Sequence, residues 1–299
     1  MSIGSNKKNY YHGIFFLLLM MLTGCFNDVI AKFIGKRLDS AEIIFFRFFF
    51  SLITILPFIV VRGAVIFKTS NWQLNVLRGF LGAIAFYLYT HSLMQIPMVE
   101  IITIMWAIPL FIVVLSILFL KERVNTVRWT STLVGFFGLA FITLYDSGSS
   151  FSFKFVYIIP VASAFLFALQ DIMVKKMLDT DDRITMLLYF AIVSSFLTFI
   201  PAIFVWKTPT LFELSMLLLL GFFANLMQFF IFRAFEAADL SALAPFRYVE
   251  FLLSALMGFI FFGEIAGLNV LIGAIILVPS TLYLAYSERR VLHKREGKK

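Results

Sequence analysis

The chain has 299 residues, of which 61% are hydrophobic and only 14% charged; a soluble chain carries about 25% charged residues. Its mean hydropathy is +0.96. These values exclude a soluble globular enzyme, a disordered chain and a secreted disulfide scaffold. The single cysteine, Cys25, excludes an intrachain disulfide and a cysteine-built metal site, and His12, His91 and His293 are too scattered to suggest a histidine cluster. What remains is an all-α integral membrane protein that needs no cofactor and has the lipid bilayer as its main partner.

A helix needs about 20 mostly apolar residues to cross roughly 30 Å of hydrocarbon. Ten blocks meet that length: His12–Phe33, Glu42–Val61, Gln73–Met94, Val99–Leu120, Val127–Tyr145, Phe155–Met177, Ile184–Trp206, Leu211–Phe235, Ser241–Phe262 and Leu268–Ser287. They are continuously apolar and do not alternate with period two, so a β-barrel is excluded. The 39 phenylalanines read chiefly as lipid-facing surface, and no single one is assigned a role. Lys7 and Lys8 precede an apolar run ending Leu22-Thr23-Gly24-Cys25, which resembles a lipoprotein cleavage box, but the span continues past Cys25.

Basic residues orient the spans. Lys32, Lys36, Arg37, Lys154 and Lys207 fall on one side, and Arg47, Arg78 and Arg247 lie within spans. The other seventeen of the 25 fall on the opposite side, which is therefore cytoplasmic and holds both termini. The tail 288–299, with six Lys and Arg against two Glu, supplies half of the +8 net charge. It reads as an anchor at anionic lipid, with no nucleic-acid partner.

An internal repeat organises the chain. Asn27-Asp28-Val29-Ile30-Ala31-Lys32 in span one recurs as Gln170-Asp171-Ile172-Met173-Val174-Lys175 in span six, and Pro57 recurs within one residue of that offset as Pro201. Gly79 matches Gly221, and Leu120-Lys121-Glu122 after span four matches Phe262-Gly263-Glu264 after span nine. The order and near-constant offset imply two five-span halves, 12–145 and 155–287. Five is odd, so the second half enters the membrane from the opposite side, which points to alternating access.

These features resemble the drug/metabolite transporter superfamily, EamA type. Within it, Asn27-Asp28-Val29 with Lys32, Phe45-Phe46-Arg47-Phe48-Phe49-Phe50-Ser51 and Ala244-Pro245-Phe246-Arg247-Tyr248-Val249-Glu250-Phe251 resemble the S-adenosylmethionine uptake carriers of obligate intracellular bacteria. The resemblance implies a carrier of the bacterial inner membrane, monomer or homodimer. It implies uptake of S-adenosylmethionine in exchange for S-adenosylhomocysteine. A same-fold carrier of an amino acid or cationic drug, or a non-transporting scaffold, are the alternatives. The chain departs from the family in one respect: Pro109 of span four has no partner near Phe251.

Charges within hydrocarbon are costly and so mark candidate sites. Asp28 and Lys32, like Asp171 and Lys175, are four residues apart on one helical face, which suggests a gate near each membrane surface. Arg47 can pair with Asp28 or Glu42, or hold a substrate carboxylate. Arg247 and Glu250 are three apart and flank Tyr248, so they either neutralise each other or face a cavity. Glu100 and His91 lie near span ends. Tyr87, Trp106 or Tyr248 can stack on adenine, with Tyr87 and Tyr89 on different faces of one helix. Asn225 and Gln228 of span eight either bond the substrate or tie helices together. No phosphate-binding Gly-x-x-x-x-Gly-Lys-Ser/Thr loop occurs.

Overall fold

A computed structural model describes residues 5–120, 157–238 and 249–265, with the isolated positions 130, 133, 134, 137, 243, 246, 272, 275 and 279. Among the described residues the regular structure is entirely helical. It comprises α1 (Ser5–Ile34), α2 (Ser40–Arg62), α3 (Trp72–Gln95), α4 (Met98–Met105), α5 (Ala107–Leu115), α6 (Ile158–Met177), α7 (Arg183–Phe204), α8 (Leu211–Ala237) and α9 (Val249–Phe262). Among the described residues six helical stretches are long and apolar enough to cross a membrane: Tyr10–Ile34, Ser40–Phe67, Glu100–Phe119, Ile158–Met177, Arg183–Phe204 and Leu211–Ala237. The expected third span forms α3, which has the length but carries Asn75, Arg78, Thr90, His91 and Ser92. Apart from isolated positions, the expected spans five and ten and the first part of span nine lie outside the described residues.

The helices start where the chemistry of their ends provides partners. Asp39 and Asp182 each accept a backbone N–H from two residues on, capping α2 and α7. Thr210 and Glu213 form a reciprocal capping box at the start of α8. The expected fourth span differs from a single helix, for the backbone turns at Trp106 between α4 and α5. Pro109 is the reason. It has no N–H to donate to the carbonyl of Met105 four residues earlier, so the helical ladder is interrupted there.

Packing follows the offset seen in the sequence. Helix α1 lies along α8 and α6 along α3; α2 crosses α8 and α7 crosses α3; α2 and α7 pack on each other. At the α3–α7 crossing a Cβ on Gly79 would lie 2.6 Å from Val193 Cβ. At the α8–α2 crossing a Cβ on Gly221 would lie 2.6 Å from Phe50 Cβ. Ser194 Oγ donates to the Gly79 carbonyl at 2.8 Å, and Ser51 Oγ donates to the Gly221 carbonyl at 3.2 Å. Glycine is needed at both places because only its missing side chain lets two helix backbones approach this closely. The lipid-facing reading of phenylalanine holds for Phe58, Phe196, Phe204 and Phe259, which are exposed. It does not hold for Phe48, Phe86 and Phe190, which form a buried cluster with Ile44.

Candidate functional site

A cavity lies between α1, α2, α3, α4–α5, α6, α8 and α9. Its acids are Asp28, Asp171 and Glu250, and its bases are Arg47 and Arg78. Three amides, Asn27, Gln170 and Gln228, and three aromatic rings, Phe86, Tyr89 and Phe167, complete its polar and stacking surface.

The two halves of the cavity are built alike. In the first, Tyr89 Oη donates to Asp28 Oδ2 at 2.6 Å, and the Arg47 guanidinium lies 3.9 Å from the centroid of Phe86. Arg47 is 4% exposed, and its Nε finds no hydrogen-bond partner among the described residues. The negative ring face under the guanidinium replaces part of its lost hydration. In the second half, Arg78 lies 4.3 Å from the centroid of Phe190, with Asp171 within electrostatic range. Its Nη1 donates to the Met186 carbonyl at 3.2 Å and its Nη2 to Gln228 Oε1 at 2.9 Å. The contrast is one of degree: Arg78 gives both terminal nitrogens to protein acceptors and keeps only a buried Nε without a partner among the described residues, whereas no such acceptor holds the terminal nitrogens of Arg47.

Several expected residues sit elsewhere. Tyr87 does not line this cavity; it stacks on His91 with ring centroids 6.0 Å apart. Tyr89 takes the inward place because residues two apart on a helix point about 200° apart. Asn225 is a helix tie, donating to the Ser51 carbonyl at 2.8 Å and to Thr54 Oγ1 at 2.7 Å. Trp106 is buried at the α4–α5 turn and is not among the cavity-lining residues. Glu100 accepts from Tyr157 Oη at 3.1 Å. Arg247 and Tyr248 lie outside the described residues. Arg78 and Gln170 were not expected as site residues. The sequence did signal Arg78, since a charge mid-span always needs a reason.

The expected gate lysines are placed differently from the i,i+4 reading. Lys32 Nζ leaves Asp28 for Glu264 Oε1 at 2.5 Å and the Ile96 carbonyl at 3.1 Å. Glu264 Oε2 also accepts the Met98 N–H at 2.8 Å, so one carboxylate ties the ends of α1, α4 and α9. Lys175 donates to the carbonyls of Phe235 at 2.6 Å and Ala238 at 3.4 Å. Both lysines satisfy carbonyls left open where a neighbouring helix ends. The basic loop after α1 has a structural explanation too. Arg37 grips Glu213 through two hydrogen bonds, one of them Nε to Oε1 at 2.6 Å. That carboxylate holds the Arg37 guanidinium above its ordinary pKa.

A helical membrane bundle around a cavity lined by charges of both signs is the architecture of a transporter. The chain belongs to the EamA-like transporter family, which it matches over residues 11–144 and 154–286. It is therefore a transporter and not an enzyme, and a multi-pass protein of the bacterial inner membrane. It is 39% identical over 288 residues to the S-adenosylmethionine uptake transporter of Rickettsia bellii, covering 96% of this chain and 98% of that one. It is 38% identical to the protein of the same name in Rickettsia conorii, covering 96% and 97%. A solved crystal structure shares the fold, with a TM-score of 0.70 at 16% identity over 96% of this chain and 99% of that chain.

Proposed function

We propose that this protein takes up S-adenosylmethionine by alternating access, in exchange for S-adenosylhomocysteine. The observation that carries the reading is Arg47, a buried guanidinium with open donors beside the Asp28–Tyr89 pair, in a chain closely similar to named carriers of that compound. In this reading Arg47 holds the substrate carboxylate. Asp28 and Glu250 face its ammonium and sulfonium, and the rings of Phe86, Tyr89 and Phe167 flank its adenine. Arg247 and Tyr248, next to Glu250 in sequence, join the same site.

The chain then forms ten spans in two inverted halves, 12–145 and 155–287, with cytoplasmic termini and a basic tail, 288–299. Support comes from the paired contacts Gly79–Val193 and Gly221–Phe50, which exchange when the halves exchange. Lys32 and Lys175 then stand at opposite membrane surfaces, and Lys32–Glu264 is a latch on the outer one. Labelled S-adenosylmethionine entry into proteoliposomes tests the reading. Internal S-adenosylhomocysteine should accelerate entry several-fold. No entry with folded protein sinks the substrate assignment, and entry indifferent to internal S-adenosylhomocysteine sinks exchange alone.

A further inference from the structure

Arg78 and Gln228 together make a recognition element. Arg78 is 1% exposed, and its guanidinium lies between the rings of Phe190 and Phe232, 4.3 and 5.2 Å from their centroids. The Met186 carbonyl and Gln228 Oε1 take its two terminal nitrogens. Arginine has five donors and no acceptor. An amide that faces it must present oxygen and turn its NH2 away. The orientation of Gln228 is thus set by its neighbour's chemistry, where a glutamine amide is otherwise free to flip. Gln228 lines the cavity, and its Oε1 is the atom that Arg78 takes. Gln170, in the same cavity, has a buried Nε2 without a hydrogen-bond partner among the described residues.

We infer that Arg78 is a positioning residue that holds Gln228 as a hydrogen-bond donor toward the cavity, and that Gln228 reads a ring-nitrogen acceptor on the purine of the substrate. A neutral amide suits a neutral acceptor. The substrate carboxylate has a better partner in Arg47, which is separated from Arg78 by the rings of Phe86 and Phe190. The inference rests on the S-adenosylmethionine reading and adds the basis on which the base is selected. A ligand without an acceptor at that point covers the Gln228 NH2 without pairing it, which costs more than a weak contact does.

Competition against labelled S-adenosylmethionine, on the full chain in nanodiscs, tests it. The competitors are S-adenosylhomocysteine and its three analogues with N1, N3 or N7 replaced by C–H. On the wild type, one analogue should compete about tenfold more weakly than the parent, or roughly 1.4 kcal/mol, and the other two within about threefold. That penalty should fall to within about threefold in Gln228→Met and in Gln228→Glu. Glutamate keeps an acceptor on Arg78, so the second variant retains the local structure should the first misfold. Arg78→Met should also erase the penalty, and adding it to Gln228→Met should change discrimination no further. A merely structural Arg78 would lower stability and leave the ratio between analogues unchanged. A wild type that discriminates against none of the three, or a penalty that survives in the Gln228 variants, overturns the inference and leaves the substrate assignment standing. A wild type that binds no adenine compound overturns both.

Discussion

Replacing Arg47 with methionine separates its role as ligand partner from its role in packing. Methionine keeps much of the apolar stem that lies over Phe86 and removes all five donors. The Arg47 Nε has no hydrogen-bond partner among the described residues, so its loss strands no protein acceptor there. Asp28 loses a neighbouring positive charge but keeps the 2.6 Å bond from Tyr89. Destabilisation should therefore be small. A hydrogen bond to a charged group contributes about 1.5–3 kcal/mol, so a carboxylate-bearing ligand should bind about 10- to 150-fold more weakly. Methylthioadenosine, which has the adenine and ribose but no carboxylate, should lose less than about threefold. Equilibrium binding in nanodiscs to both compounds is the assay. Equal losses for the two would refute a carboxylate contact. Unchanged binding of S-adenosylmethionine would remove Arg47 from the site.

Other outcomes follow from the same geometry. Tyr89→Phe removes one hydrogen bond to the buried Asp28 carboxyl; it should weaken substrate binding about tenfold while the purified protein stays monodisperse, as gel filtration and titration would show. Gly221→Ala places a Cβ 2.6 Å from Phe50 Cβ and 2.7 Å from its carbonyl carbon. Backbone cannot yield as a side-chain tip can, so overpacking of about 1–3 kcal/mol should lower the melting temperature, whereas Gly63→Ala, where a Cβ meets nothing within 4 Å, costs only what its φ of 61° imposes. Cysteines at positions 32 and 264, in a Cys25→Ala background, should block exchange when crosslinked and restore it on reduction. Transport insensitive to the crosslink would show that the α1–α9 tie does not have to open.

Composition and block length carried the class of this protein. Some twenty apolar residues in a row leave few choices for a backbone that must satisfy its own hydrogen bonds in lipid, and the described helices coincide with the expected spans to within a few residues, α1 and the start of span six excepted. The repeat was legible because Asp28 and Asp171 stand in the same pattern of neighbours, and both line the cavity. Helical periodicity showed that Tyr87 and Tyr89 point apart, but not which one points inward. In a span that is apolar on nearly every side the hydrophobic pattern no longer separates the buried face from the lipid face.

Tertiary structure alone decided the pairings. Lys32 meets Glu264, 232 residues away, in preference to Asp28 one turn back; Asn225 is spent on α2; and Arg78, buried mid-span without an assigned role in the sequence, turns out to hold Gln228 at the cavity wall. The physical reason is common to all three. A polar group inside a bundle takes whichever partner best replaces its lost water, and that partner is set by which helices cross, at glycines such as Gly79 and Gly221, and not by spacing along one of them.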